Sequence, residues 1–462
     1  MMRTSTIASE SSGSYDVFGA GLRPPPDETD EERVRRLEAE REAVRVSKAI
    51  DAALLEGKKA LERKKRAVKI LLLGQSESGK SSVLRNFRLA FTPRFFEEER
   101  LVWRTVIQLN LISSIKKILT AMQDEWAEAE SSSTSTVLTS AHRRLALALS
   151  PLLAFETSIS QLLASDGSGS GHGVTVRPGG GWKDRLTASL SRASGAASAL
   201  TMEAPTGGAQ QQDPTQVIQV LASCRDNIIA LWEDSAVRAV LADREINLVE
   251  DPGFFLDDTA RVTALNYVPS DRDIMRARIR TLGVEEHSFV TESGFRAGTE
   301  FFITDVCGSS HQRSTWVPYF DDVQAILFLA PLAFWQSLDE DSKVNRVQDS
   351  LELWREIVSN PLLAKTAFIL LFNKKDILQA HIAAGVMVKK YVPSYGDRPN
   401  DVPSVTKYFR DKFSAYLRKF SPQPRSFIFY ETEAIDTKST AIILGEVQEQ
   451  IIRNHLKDLD VM

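Results

Sequence analysis

Apolar and polar positions alternate along this chain in three distinct ways. Residues 68–73 read Val-Lys-Ile-Leu-Leu-Leu, an almost unbroken apolar run of strand length. Such a run suits a parallel strand buried on both faces. Residues 301–306, 325–329, 367–372 and 426–430 carry similar runs, and helical patterns separate most of them. That alternation predicts a doubly wound α/β domain. Residues 90–269 interrupt it with apolar residues at helical spacing in 101–122, 145–163 and 217–241, which predicts an all-helical region. A third pattern fills residues 27–66, rich in Glu, Arg, Lys and Ala with Gly57 as its one glycine. It predicts a long charged helix with a thin stripe of Val34, Leu37, Val44, Ile50, Leu54, Leu55 and Leu61, suited to solvent or to laying on a partner. Residues 1–26 are polar, end in three prolines and read as a disordered tail. A Gly-, Ser-, Ala- and Gln-rich stretch at about 165–216 reads as a flexible surface insertion in the helical region with no assigned role.

Composition narrows the class. The 462 residues are 43% hydrophobic and 26% charged, ordinary for globular domains with a sizeable core. A formal net charge of -4 offers no general attraction to nucleic acid. Cys224 and Cys307 are the only cysteines, which excludes a disulfide scaffold and a cysteine-rich zinc site. No apolar run is long enough for a membrane span, and the first residues lack the apolar core of a signal peptide.

The chemistry concentrates in a few short motifs. Gly74-Gln75-Ser76-Glu77-Ser78-Gly79-Lys80-Ser81 matches GxxxxGK[ST] between a predicted strand and a predicted helix, the context that identifies a phosphate loop. By composition such a match arises by chance roughly 0.02 times in a chain this long. Glycines let backbone N–H groups face phosphates, and the helix N-terminus favours negative charge. Lys80 is expected to reach the β- and γ-phosphates and the Ser81 hydroxyl to ligate Mg²⁺. Asn373-Lys374-Lys375-Asp376 follows a predicted strand, where the Asp376 carboxylate can accept from the ring N–H and exocyclic amine of guanine, a pair adenine lacks. That motif selects GTP and GDP and disfavours a P-loop ATPase or kinase. Asp305-Val306-Cys307-Gly308 lies between the two, with Asp305 placed to hold Mg²⁺ through water and Gly308 to offer its N–H to a γ-phosphate.

Residues 273–283, Asp-Ile-Met-Arg-Ala-Arg-Ile-Arg-Thr-Leu-Gly, then resemble switch I of heterotrimeric G-protein alpha subunits, of a divergent, fungal type. The resemblance covers about residues 42–462 and implies a Ras-like P-loop GTPase domain, residues 67–89 plus 270–462, with an inserted all-α domain at 90–269. It implies that Arg278 is an arginine finger supplied in cis and Thr281 a second Mg²⁺ hydroxyl, and that Gly74, Glu77, Ser78, Gly79, Ser82, Met275 and Arg276 contact the nucleotide. Leu231-Trp232-Glu233-Asp234-Ser235 resembles a helical-domain segment closing over the nucleotide, which implies contacts from Asp234 and Ser235. Residues 432–438 resemble the TCAT loop, with Ala434 giving its N–H to the guanine carbonyl. The helix at 27–66 is similar to the beta-gamma-binding helix, and residues 454–462 to the receptor-facing end of the last helix. The implied partners are a beta-gamma dimer, a seven-helix receptor and an effector at switch II. The implied location is cytoplasmic, peripheral on the inner face of the plasma membrane through those partners.

The chain departs from that family at four points. Ser309 stands where the family has the glutamine that orients the attacking water, Ser76 where it has a small glycine, and Cys307 where it has the glycine after valine. Residue 2 is Met, and no cysteine lies near the start, so the usual acylation signals are missing. Slow GTP hydrolysis is therefore expected, with a GTP-binding interaction protein of essentially no turnover as the alternative. His311 and Gln312 are expected to be exposed residues of switch II, and Cys307 a small filler.

Overall fold

Leu71, Leu72 and Leu73 have no measurable exposure, because Val68–Gly74 (β1) runs through the middle of a sheet covered on both faces. In the computed structural model, which describes residues 29–132, 136–164, 175–176, 183, 186, 214–281, 283–291, 298–338, 341–425, 427–432 and parts of 437–453, β1 pairs parallel with two neighbours. The small strands Thr175–Val176 (β2) and Arg280–Thr281 (β3) lie outside this sheet. The sheet contains Val284–Val290 (β4), Glu300–Val306 (β5), Ala325–Pro331 (β6), Ala367–Asn373 (β7) and Ile428–Glu431 (β8), in the order β4-β5-β1-β6-β7-β8. Every neighbouring pair is parallel except β4 with β5. The register sets Leu72 opposite Asp305, Gly74 opposite Leu329 and Pro331 opposite Asn373. The three sequence motifs thus follow β5, β1 and β7 at the same, carboxyl end of the sheet, where open α/β sheets bind ligands.

The sequence pattern predicts five of these strands and misses β4. Its sequence, Val-Glu-Glu-His-Ser-Phe-Val, carries two acids and no continuous apolar run, yet it pairs along its whole length with β5. An edge strand needs only one apolar face, here His287 and Phe289, so its sequence signal is weak.

Residues between β1 and β3 build a helical lobe with a core of its own. Lys80–Phe91 (α2) and Pro93–Glu98 (α3) lead into Arg100–Ser132 (α4), Ser140–Ala164 (α5), Pro214–Glu233 (α6) and Ser235–Asp243 (α7). Ile112, Ile115, Leu149, Leu152, Leu221 and Ile228 have no measurable exposure at its centre. The apolar pattern across 217–241 is broken at Asp234, whose carboxylate accepts from the N–H groups of Ala236 and Val237 and starts α7. Two described points of the low-complexity insertion make contacts outside it. Thr175–Val176 pairs in parallel with Arg280–Thr281, and Leu186 is buried in the helical core.

Asp30–Arg66 (α1) forms a unit by itself. Thr29 and Glu32 cap its start reciprocally, the Glu32 carboxylate accepting from Thr29 N–H at 3.0 Å and Thr29 Oγ1 from Glu32 N–H at 3.4 Å. Its apolar stripe, Val34 through Leu61, is exposed.

Candidate functional site

The loop after β1 is built for close backbone approach. Gly74 has φ 144°, and a Cβ there would lie 2.5 Å from the Leu329 carbonyl oxygen. Gly79, at φ 98°, turns the chain into α2. Lys80 lies across this loop, its ammonium donating to the carbonyls of Gly74 at 2.9 Å and Gln75 at 2.6 Å. Burial holds that ammonium below the ordinary lysine value, while Asp305 and Cys307 pull it back up and Arg313 adds to the lowering. A buried cation on neutral carbonyls is incompletely compensated, and a polyphosphate would supply the missing charge.

Asp305 ends β5 beside it. Its Oδ2 accepts from the Ser81 hydroxyl at 2.9 Å, and among the described residues its buried Oδ1 has no hydrogen-bond partner. Burial raises the carboxyl above the usual aspartate range, against the opposing effects of Lys80, Ser81 and Arg85. A hydroxyl, a carboxylate and an orphaned buried oxygen fit a hard divalent cation that keeps much of its water. Among the described residues no group of three or more His, Cys, Asp or Glu could hold a metal, so this two-residue set is the candidate.

The segment before β3 crosses the same cavity. Ser270 and Asp273 form a reciprocal capping box at the start of Asp271–Arg276 (α8). Burial works against the Asp273 carboxylate, but Arg261 and Ser270 outweigh it and hold its pKa down to about 2. Arg85 from α2 donates to the carbonyls of Ile274 and Ala277, and burial lowers this guanidinium to about 10. Arg276 turns to the helical lobe, donating to Asp258 at 2.8 Å and the Phe254 carbonyl at 2.7 Å. Arg278 points to the phosphate loop and ion-pairs with Glu77.

Gly308 follows Asp305 and lies against the phosphate loop. A Cβ there would be 2.2 Å from the Gln75 carbonyl carbon and 2.3 Å from Ser76 N. Cys307 Sγ is 3.5 Å from Ser309 Oγ, its N–H donates to the Gly283 carbonyl at 2.8 Å and its carbonyl accepts from Trp316 Nε1 at 3.0 Å. Cys307 is therefore a backbone junction as well as a small side chain. His311 is exposed as expected. Gln312 is not, since its Oε1 accepts from the Gly283 N–H at 3.2 Å and ties the two switch segments together.

At the far end, Asn373 is buried and donates to the Ser78 carbonyl at 2.9 Å, joining the NKxD turn to the phosphate loop. Lys374 turns at φ 62°, and Asp376, in the first turn of Lys375–Ala383 (α9), is exposed. All of this encloses a cavity of about 430 Å³, within the roughly 300–1,000 Å³ of small-molecule sites. Glu77, Gly79, Lys80, Ser81, Ser82, Met275, Arg276, Arg278, Asp305, Gly308, Ser309, Asn373, Lys374 and Asp376 line it, as do Ser76 and Cys307.

Other expected residues lie elsewhere. Gly74 and Ser78 sit behind the lining, Ser78 fully buried. Asp234 and Ser235 are not in the lining, and Asp234 is occupied by its helix cap and by His142 Nε2 at 3.2 Å. Ala434, the Thr281 side chain and residues 454–462 fall outside the described residues. The helical wall of the cavity is instead residues 249–254. Glu250 there accepts from Trp335 Nε1 and Gln336 Nε2, each at 3.3 Å, and lies 2.8 Å from His381 Nε2. No local motif marks these residues. A Pro-Gly turn in an acidic stretch was their only signal.

Comparison with known proteins agrees with this geometry. The family model described as G-protein alpha subunit matches residues 44–451. The guanine nucleotide-binding protein alpha-4 subunit of Mycosarcoma maydis is 30% identical over 96% of this chain and 95% of its own length. The subunit alpha-12 of Rattus norvegicus is 29% identical over 91% and 92%, and the alpha-2 subunit of Neurospora crassa 27% over 92% and 98%.

Proposed function

The chain belongs to the G-protein alpha-subunit family of guanine-nucleotide-binding signal transducers, and from that premise we propose how its cavity binds and hydrolyses GTP. The observation that carries the reading is the convergence of phosphate loop, Asp305, Gly308, Arg278 and the NKxD turn on one cavity. The N–H groups of the loop from Gly74 to Ser82, with Lys80, hold the phosphates. Asp376 reads the guanine edge, Asn373 fixes the turn that presents it, and Ala434 contributes an N–H from the segment that follows β8. Ser81 and Asp305, the latter through water, hold Mg²⁺, with Thr281 as a second hydroxyl. Held there by Ser81, Asp305 and Thr281, the ion would supply positive charge that offsets the charge of the phosphates.

Hydrolysis needs the γ-phosphoryl charge stabilised and a water held in line. Arg278 supplies the charge once it leaves Glu77 for the γ-phosphate, and Gly308 N–H accompanies it. No long amide stands at position 309. The Ser309 hydroxyl lies beside the Cys307 thiol, so turnover is slow and the GTP state long-lived. The exposed stripe of α1 is the beta-gamma surface, switch II the effector surface and residues 454–462 the receptor contact. Attachment at the inner face of the plasma membrane comes through these partners. No described helix is long and apolar enough to cross a membrane.

Base selectivity tests the assignment. Asp376→Asn should weaken GTP binding and favour xanthosine triphosphate, whose carbonyl replaces the guanine amine. ATP competing with GTP at similar concentration in the wild type would sink it. Single-turnover hydrolysis separates a slow GTPase from the alternative, a GTP-binding interaction protein without turnover, the two readings that Ser309 and Ser76 raise.

A further inference from the structure

We propose that Asn110, on α4 of the helical lobe, is a positioning residue for hydrolysis, because its side-chain amide clamps the backbone of Arg278. This rests on the reading of Arg278 as the group that stabilises the γ-phosphoryl charge. Asn110 Oδ1 accepts from the Arg278 N–H at 2.7 Å, and Asn110 Nδ2 donates to the Arg278 carbonyl at 3.0 Å. One amide thereby satisfies both backbone groups of one residue, a match of donor and acceptor that fixes orientation as well as position. Asn110 is 4% exposed and is absent from the cavity lining, so it acts on the reaction only through Arg278.

Neighbouring contacts show that the clamp is built into both lobes. Arg85 holds the preceding carbonyl, that of Ala277, at 2.6 Å from the phosphate-loop side. Gly253 packs on the amide from the helical side. A Cβ at this position would lie 2.9 Å from both Asn110 Oδ1 and Arg278 Cβ, and its φ of 83° already disfavours a side chain. Arg278 thus has a backbone clamped on both sides and a guanidinium held by Glu77. The side chain can exchange Glu77 for a γ-phosphate without moving the backbone. Positioning of this kind is the larger part of phosphoryl-transfer catalysis, and displacement by about 1 Å costs on the order of a hundredfold. The helical lobe then does more than enclose nucleotide. It sets where the finger stands, and hydrolysis requires the two lobes to be closed.

Three variants of the full chain test this: Asn110→Ala, Arg278→Ala and the double substitution. Each is measured for single-turnover GTP hydrolysis, affinity for a non-hydrolysable GTP analogue and affinity for GDP with aluminium fluoride, a mimic of the transition state. Asn110→Ala should slow hydrolysis by about ten- to a hundredfold and weaken the transition-state mimic alone. It should slow the Arg278→Ala protein no further. Gly253→Ala should give the same signature by pushing the clamp from its other side, and it serves if Asn110→Ala fails to fold. A wild-type rate in Asn110→Ala, equal slowing in both backgrounds, or parallel loss of both affinities overturns the inference. If Arg278→Ala itself hydrolyses at the wild-type rate, the finger reading has failed, which is visible before Asn110 is touched.

Discussion

Gly308→Ala should abolish most of the preference for GTP over GDP while leaving GDP binding intact. The added methyl carbon would stand 2.2 Å from the Gln75 carbonyl carbon, 2.3 Å from Ser76 N and 2.5 Å from the Gln75 oxygen, where ordinary contacts begin near 3.4 Å. One of the two loops must retreat by about 1 Å, because backbone atoms at this density have no slack. The phosphate loop is the better anchored. Gln75 Nε2 donates to the Arg346 carbonyl and to Asp349 Oδ2, each at 2.6 Å, and Arg346 Nη1 donates to the Ser76 carbonyl at 2.9 Å. Switch II therefore gives way and carries the Gly308 N–H out of reach of a γ-phosphate. A hydrogen bond to a charged group contributes about 1.5–3 kcal/mol, so the GTP-to-GDP affinity ratio should fall roughly ten- to 150-fold. Equilibrium titration with GDP and with a non-hydrolysable GTP analogue reads the ratio directly. An unchanged ratio in a folded Gly308→Ala protein would refute the argument that this contact carries γ-phosphate sensing.

Ser309→Gln should raise the single-turnover rate about tenfold, the effect of roughly 1.4 kcal/mol of restored positioning. An unchanged rate with nucleotide affinity intact would show that another group already orients the water. Glu250→Ala removes the contacts to Trp335, Gln336 and His381 that tie the helical wall to the sheet domain. GDP release should accelerate about fivefold for about 1 kcal/mol lost, and an unaltered dissociation rate would show that the lobes close by other means. Burial, with Arg88 and then Lys183 nearby, pushes the His287 pKa down from 6.5 to about 3. The unfolded chain therefore binds a proton that the folded one refuses, so stability present above pH 6.5 is lost as pH falls from 6.5 towards 3. By pH 5.5 the loss is about 1.4 kcal/mol. Urea midpoints at pH 7.5 and 5.5 should converge in His287→Gln, and an identical pH dependence in the variant would exclude His287 as its source.

Much of the site was legible because its chemistry is carried by contiguous residues. A phosphate loop needs glycines at fixed offsets and a lysine after the second, so Gly74, Gly79 and Lys80 announce it once a strand precedes and a helix follows. Asn373 to Asp376 and Asp305 to Gly308 are readable for the same reason, since each motif is one turn at the end of one strand. Buried parallel strands are equally plain, because both faces must be apolar, as in 68–73. The charged helix of residues 30–66 and the helical character of 100–132 follow from periodicity alone.

What local pattern could not supply were the groups whose roles depend on distant partners. β4 has no strand signature of its own and exists because β5 offers a free edge. The capping role of Asp234, whose carboxylate accepts from the first N–H groups of α7, depends on where that helix starts. Residues 249–254 reach the cavity only because the helical lobe folds back over the sheet. Gln312 is drawn from solvent to Gly283, 29 positions away. The clamp of Asn110 on Arg278 spans 168 positions. The sequence by itself determined which turns line the cavity, because the phosphate loop, the turn at residues 305–308 and the NKxD turn are each encoded by a short motif. Only the tertiary structure decided how the finger is held, what closes the cavity and which polar residues are already occupied. Those depend on side chains from separate elements satisfying one another's buried donors and acceptors, and no local pattern records such pairings.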